Sequence, residues 1–198
     1  MTKLSVYKIL EKTKAEGPFM RFCIWVQGCS RHCRGCMAKN TWDKSKGKLF
    51  SVDDIFEKIK AQKDIEGVTF LGGEPFEQAK ALGILAEKCR QSGLGVLTFT
   101  GGNYEELKNL NDPDINKLLN NTDLLIDGEF VREKLDYSRP WVGSSNQRYI
   151  FLTDRYCASE IEKCKNKVEI HFEKSGKIFM NGMGDFDKIA RDLALLTD

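Results

Sequence analysis

A chain of 198 residues that is 41% hydrophobic and 30% charged, with formal net charge +2, has the balance of one ordinary soluble domain, long enough to bury a core without crosslinks. That balance gives no compositional reason to expect nucleic-acid or membrane partners. The N-terminus, M-T-K-L-S-V-Y-K-I-L-E-K-T-K, has charges where a signal peptide needs an apolar run, and no later stretch is apolar for long enough to span a bilayer, so a cytoplasmic location is expected.

In chain order, Phe22–Val26 (F-C-I-W-V) reads as a short strand that delivers the chain to a cysteine-rich loop. Ser51 reads as an N-cap, with Asp54 at the third helical position and Val52, Ile55, Phe56 and Ile59 at helical spacing. Glu66–Leu71 is strand-like and runs into Gly72-Gly73. A helical pattern follows from Glu77 to Gln91 and stops at Ser92-Gly93. Val96–Thr100 is the next strand, closed by Gly101-Gly102, and Asn103 is placed to cap a short helix. A further helix around Ile115–Asn120 follows Pro113, and Asp123–Ile126 is strand-like. Strands alternating with helices at this period imply β-α-β units and a parallel sheet. After Gln147 the rhythm changes. R-Y-I-F-L-T is a strand candidate, V-E-I-H-F and K-I-F-M around Ser175-Gly176 read as a β-hairpin, and a last helix is expected over Phe186–Leu196. The expected organisation is a core over 1–150 with the hairpin and helix of 151–198 appended to the same domain.

Seven cysteines in a reducing compartment point to metal or redox chemistry rather than disulfides. Cys23 and Cys89 fall in apolar patterns and read as buried structural thiols. Cys157 and Cys164 lack a Gly-rich turn between them and read as structural or surface thiols. The remaining three lie in Q-G-C-S-R-H-C-R-G-C-M, as Cys29, Cys33 and Cys36. A structural zinc site wants four ligands, and no second Cys-x-x-Cys pair exists; His32 adjoins Cys33, and neighbouring side chains rarely reach one tetrahedral ion together. A disulfide would strand the third thiol. A 4Fe–4S cubane with three protein ligands fits best, because it leaves one iron open, which is of use only to a cluster that binds something.

The C-x3-C-x2-C spacing resembles the radical S-adenosylmethionine superfamily, in which S-adenosylmethionine chelates the open iron. Reduction then cleaves it to methionine and a 5′-deoxyadenosyl radical. Gly72-Gly73-Glu74-Pro75, directly after a strand, resembles the superfamily's methionine-binding motif. On chemistry alone, two glycines let backbone approach a ligand, and Glu74 and free carbonyls accept from an ammonium; a plain strand-to-helix turn would look the same. Gly17-Pro18, Arg21, W-V-Q-G before Cys29, and N-T-W-D after Cys36 resemble the activating enzymes of glycyl-radical proteins. Gly35 before the third cysteine, T-G-G-N-Y-E-E-L, I-D-G-E-F-V-R-E and W-V-G-S-S-N-Q resemble in particular the activase of the anaerobic (class III) ribonucleotide reductase.

That resemblance spans roughly Ser5 to Arg148. It implies an α/β open partial barrel of about five or six parallel strands, with hydrogen abstraction from a glycine of a partner reductase and a flavodoxin or ferredoxin as electron donor. Two departures stand out: Glu74 where this group often has Asp, and about fifty residues after Gln147 beyond what its smallest members need. Thr100 and Asp127 end strands on the side where parallel sheets bind ligands. Thr100 is a candidate contact for the ribose or methionine, and Asp127 for placing the methionine end, directly or through a cation; an ordinary turn-forming Thr and Asp-Gly would look the same. Arg31 and Arg34 are candidates for docking the donor, and Trp25, Trp42 and Trp141 read as packing residues. Two other readings stay open on sequence: a radical enzyme that modifies a peptide or metabolite, and a non-catalytic metal scaffold in which G-G-E-P is only a turn.

Overall fold

The computed structural model describes residues 1–172 and 174–194. Its elements, in order, are β1 (Lys3–Thr13), β2 (Arg21–Val26), β3 (Lys48–Ser51), α1 (Val52–Lys60), β4 (Gly67–Gly72), α2 (Ala79–Gln91), β5 (Gly95–Phe99), α3 (Tyr104–Asn109), α4 (Pro113–Asn120), β6 (Leu124–Asp127), β7 (Arg148–Phe151), α5 (Ala158–Ile161), β8 (Val168–Phe172), β9 (Ile178–Gly182) and α6 (Phe186–Ala194). One seven-stranded sheet runs β3-β1-β2-β4-β5-β6-β7, and β8-β9 form a separate hairpin. The expected parallel run is shorter than five or six strands. Only β2, β4, β5 and β6 are mutually parallel, while β1, β3 and β7 pair antiparallel at the two sides. The reason lies in the connections. β1 returns into β2 through the short Gly17-Pro18 corner, with no crossover helix to turn it parallel.

Period-two alternation sorts the parallel strands between two packed layers. Phe22, Ile24, Val26, Val68, Phe70, Val96 and Leu125 join the core under α1, α2 and α4. Cys23, Trp25 and Leu71 face the other way, towards Phe179 of the hairpin, and Leu97, Leu124 and Ile126 pack with Trp141, Val142, Tyr156 and Ile161. Cys23 and Cys89 are fully buried and Cys157 is exposed. The caps also follow the sequence. Ser51 Oγ accepts from the Asp54 N–H at 3.0 Å, and Asp112 caps α4 ahead of Pro113. Asn103 makes no such bond; the first turn of α3 is instead held by Asp127 Oδ2, which accepts from the Tyr104 N–H at 2.8 Å. α6 is described to Ala194, and the last two positions expected for it lie outside the described residues.

At the N-terminal ends of the parallel strands one buried cation gathers the backbone. Arg21, with a fully buried side chain, donates to Glu66 Oε2 (2.6 Å), Thr69 Oγ1 (2.7 Å) and Tyr156 Oη (2.9 Å), and to the carbonyls of Val68 and Gly95. Removing one partner of such a network leaves the others desolvated and unpaired. Arg21→Met should therefore cost about 3 kcal/mol or more, roughly 6–12 °C in Tm for a chain of this length. An unchanged thermal melt would show that the network contributes little.

The hairpin is latched to the sheet by a second buried ionisable group. Glu16 Oε1 accepts from the Gly182 N–H and from Asn181 Nδ2, and Asn181 Nδ2 also donates to Thr13 Oγ1 at 3.1 Å. Burial pushes the Glu16 carboxyl from 4.5 up to about 7, against the Gly182 and Asn181 hydrogen bonds and with a smaller push from Glu169. An acid whose folded pKa is raised keeps its proton in the folded chain after the unfolded chain has lost it. Stability therefore falls as pH rises from 4.5 to about 7 and levels off above that. The full effect is about 3 kcal/mol. Glu16→Gln should flatten that slope in thermal melts taken across the window; parallel pH profiles for the two proteins would rule the latch out as the titrating group.

Candidate functional site

Beyond the C-terminal end of β2 the chain enters the cysteine loop, and beyond the end of β4 it enters the turn Gly72–Pro75. The parallel pairing of β2 with β4 continues past both strands. The Gly73 N–H donates to the Val26 carbonyl (2.9 Å) and the Glu74 N–H to the Gly28 carbonyl (2.8 Å). Gly73 is required for that approach, since a Cβ there would lie 2.2 Å from the Gly28 carbonyl oxygen. These glycines thus bring two loops together, a packing role beside the ligand approach and the plain turn that the sequence allows.

The side chains of the turn then grip the loop. Glu74 is 4% exposed and accepts four hydrogen bonds. Phe76 N–H (3.1 Å) and Thr100 Oγ1 (2.9 Å) reach Oε1, while Arg31 Nε (3.1 Å) and Gly101 N–H (2.9 Å) reach Oε2. Burial pushes its carboxyl above the ordinary value, opposed by these donors. Glu77 Oε1 accepts from both the N–H and the Oγ of Ser30 at 2.6 Å, and its Oε2 pairs with Lys44 at 2.8 Å. Gln78 bridges Ser5 and the Gln27 carbonyl. Nothing in the sequence beyond proximity to G-G-E-P marked Glu77 and Gln78 as loop holders.

Cys29, Cys33 and Cys36 line one cavity of about 460 Å³ together with Gly72, Gly73, Glu74 and Thr100. Each thiol has backbone N–H donors. Those of Arg31 and His32 point at Cys29, that of Phe130 at Cys33, and that of Ala38 at Cys36 Sγ (3.4 Å). Burial pushes the Cys29 and Cys33 thiols up all the same. Among the described residues no three His, Cys, Asp or Glu groups are arranged to hold a single ion. A cubane makes a different demand, one thiolate on each of three irons.

Asp127 stands apart from the other expected site residues. It is fully buried and absent from the cavity wall; Arg148 donates to it through Nε (3.0 Å) and Nη2 (2.6 Å), and the Tyr104 N–H takes part of Oδ2. The following segment does reach the cavity, through Gly128 and Phe130. The G-S-S-N-Q block fixes that segment. Gln147 accepts from the Gly143 and Ser144 N–H groups and donates to the Gly128 carbonyl, Asn146 donates to the Glu129 carbonyl, and the Val131 N–H donates to Ser144 Oγ. Arg31 is engaged with Glu74, and Arg34 pairs with Glu133 at 3.6 Å with both side chains exposed. Trp25 and Trp141 are buried packing residues that also line the cavity, and Trp42 stacks on His32 with ring centroids 4.5 Å apart.

The family described as "4Fe-4S single cluster domain" matches residues 15–150. The anaerobic ribonucleoside-triphosphate reductase-activating protein of Enterobacteria phage T4 is 30% identical over 144 residues, covering 70% of this chain and 88% of that protein. The protein of the same description from Haemophilus influenzae is 33% identical over 143 residues, covering 66% and 87%. Among solved structures, QueE from Escherichia coli is similar over 52% of this chain and 54% of its own, with 20% sequence identity and a TM-score of 0.45. Among the described residues no helix is long and apolar enough to cross a membrane. The chain belongs to the 4Fe-4S single cluster domain family and to the anaerobic ribonucleoside-triphosphate reductase-activating proteins.

Proposed function

We propose that this protein is a radical S-adenosylmethionine enzyme that generates a glycyl radical on an anaerobic ribonucleotide reductase. One observation carries the reading. The three closely spaced thiols and the G-G-E-P turn, separate in sequence, are tied into one unit around a single cavity, and each thiol has backbone N–H donors of the kind a ligand thiolate uses. Cys29, Cys33 and Cys36 are the ligands of one 4Fe–4S cluster. Bound irons supply the positive charge that offsets burial of these thiols.

Gly72, Gly73, Glu74 and Thr100 form the side of the cavity that receives the methionine end of S-adenosylmethionine. The Glu74 oxygens already take four donors, so its part is to hold Arg31, Thr100 and Gly101 in place around that ligand. Asp127 is a positioning residue that acts through Gly128. When bound, the reduced cluster and S-adenosylmethionine supply reductive C–S cleavage to methionine and a 5′-deoxyadenosyl radical; this takes hydrogen from a glycine Cα of the partner and leaves as 5′-deoxyadenosine.

We read the four parallel strands with their helices as the open partial barrel of that superfamily. The electron enters from a flavodoxin or ferredoxin, for which exposed Arg34 and Lys39 beside the cysteines are the docking cations. The setting is the cytoplasm, where thiols stay reduced.

The test is anaerobic. Protein with its cluster reconstituted is reduced with dithionite, given S-adenosylmethionine, and assayed for 5′-deoxyadenosine with and without an anaerobic ribonucleotide reductase. The expected result is nucleoside together with a glycyl-radical EPR doublet on the reductase. Nucleoside without the doublet would discard the partner, and no nucleoside from protein with a reduced cluster would discard the reaction. Cys29→Ala, Cys33→Ala and Cys36→Ala should each abolish cleavage and lower bound iron, whereas Cys157→Ser, on an exposed thiol, should change neither. Gly73→Ala should also lower bound iron, because its Cβ forces the turn away from Gly28.

A further inference from the structure

The cavity has a wall that lies outside the family match. Ile178, Phe179, Met183 and Phe186, from β9 and the start of α6, line it together with the cysteines, and all lie beyond the family match at 15–150. The wall is fixed in place. Phe179 packs edge-on against Trp25 with centroids 5.9 Å apart, Lys8 Nζ sits 3.8 Å from the Phe179 ring centre, and the Lys14 N–H donates to Glu169 Oε1 at 2.8 Å. The Glu16–Asn181 latch completes the attachment. Besides Tyr7 of β1, 40% exposed, two large aliphatic residues of the lining are about half exposed: Met37 of the cysteine loop at 48% and Ile178 of the hairpin at 54%. They mark the mouth of the cavity, one on each of the two walls.

Resting on the function proposed above, we propose that the β8–β9 hairpin is the partner-specificity element of this protein, and that the rim from Ile178 to Met183 docks the glycine-bearing segment of the reductase. A target whose Cα must meet a radical made inside the cavity has to pass this mouth as an extended, slim stretch of chain. A segment centred on glycine, flanked by apolar side chains that rest on Ile178 and Met37, fits such an opening. Free small molecules would not need exposed apolar side chains at the mouth of the cavity. The core within the family match performs the cleavage, and the wall beyond it decides which protein segment enters.

The experiment uses the full-length, cluster-loaded protein and compares Ile178→Asp with wild type. Ile178 is more than half exposed, so the variant should fold, which its thermal melt checks. The expected result is a rise of about tenfold or more in the KM for the reductase, well beyond any change in partner-free 5′-deoxyadenosine formation measured on the same protein. A photoreactive benzoylphenylalanine at position 178 should crosslink to the glycine-bearing segment. The same group at Leu110, exposed and away from the cavity, should not. An unchanged KM, or a crosslink from Leu110 with none from position 178, would overturn the assignment of the hairpin while leaving the reaction standing. Failure of wild-type protein to form any nucleoside would instead strike the underlying function.

Discussion

The site depends on one buried carboxylate. Glu74 sits where three chain segments end: the cysteine loop after β2, the turn after β4 and the glycine pair after β5. Its four acceptor positions take one donor from its own turn, one from the loop and two from the glycine pair's side. A carboxylate buried to this degree is costly unless hydrogen-bonded to capacity, so the three segments are ordered by one shared requirement. That requirement also explains local glycines. A Cβ at Gly101 would come within 2.6 Å of Arg31 Cδ, so the guanidinium can reach Glu74 only across a bare backbone.

The sheet divides its work between its two ends. At the N-terminal ends Arg21 satisfies Glu66, Thr69 and Tyr156, and its network includes a tyrosine from 135 residues downstream. At the C-terminal ends polar groups likewise satisfy one another, but around open space. Parallel strands make this separation natural, because every crossover returns to the same edge and the ligand-binding loops collect at the other. Stability and chemistry can then be altered separately, since the two networks share no residue.

Much of this was legible in the sequence, and the gaps have physical causes. The four parallel strands, the Ser51 cap, the hairpin and the three thiols follow from alternation, capping chemistry and spacing, all of which are local. β1 was missed, although Leu4 and Val6 alternate with exposed neighbours over its first half, because lysines and Glu11 break the pattern later in the strand. β3, four residues long, offers too little pattern to read. Asp127 shows the limit of local reading. Asp-Gly at a strand end looks the same whether it meets a ligand or a cation, and the deciding partners, Arg148 and the Tyr104 N–H, are 21 and 23 residues away. The G-S-S-N-Q block was recognisable by resemblance but not by physics, because its amides act on the backbone of 128–131, a relation only the fold creates.

That block clarifies how the cavity is built. Its donors to the cysteine sulfurs are main-chain groups, the N–H of Phe130, Ala38, Arg31 and His32, and glycines at 72, 73, 101 and 128 are among its lining. Main chain cannot be tuned by substitution, only by moving the segment that carries it. Side-chain amides and carboxylates that bind backbone (Gln147, Asn146, Gln78, Glu77) are therefore the means of setting site geometry, although few of them face the cavity. The hairpin follows the opposite rule. With the start of α6 it faces the cavity through side chains, of which Phe179 anchors the wall on Trp25 while the half-exposed Ile178 can be exchanged without disturbing a ladder or a turn. A fold that braces its cysteine loop through backbone and carries replaceable side chains at its mouth can hold its chemistry constant while its choice of partner changes.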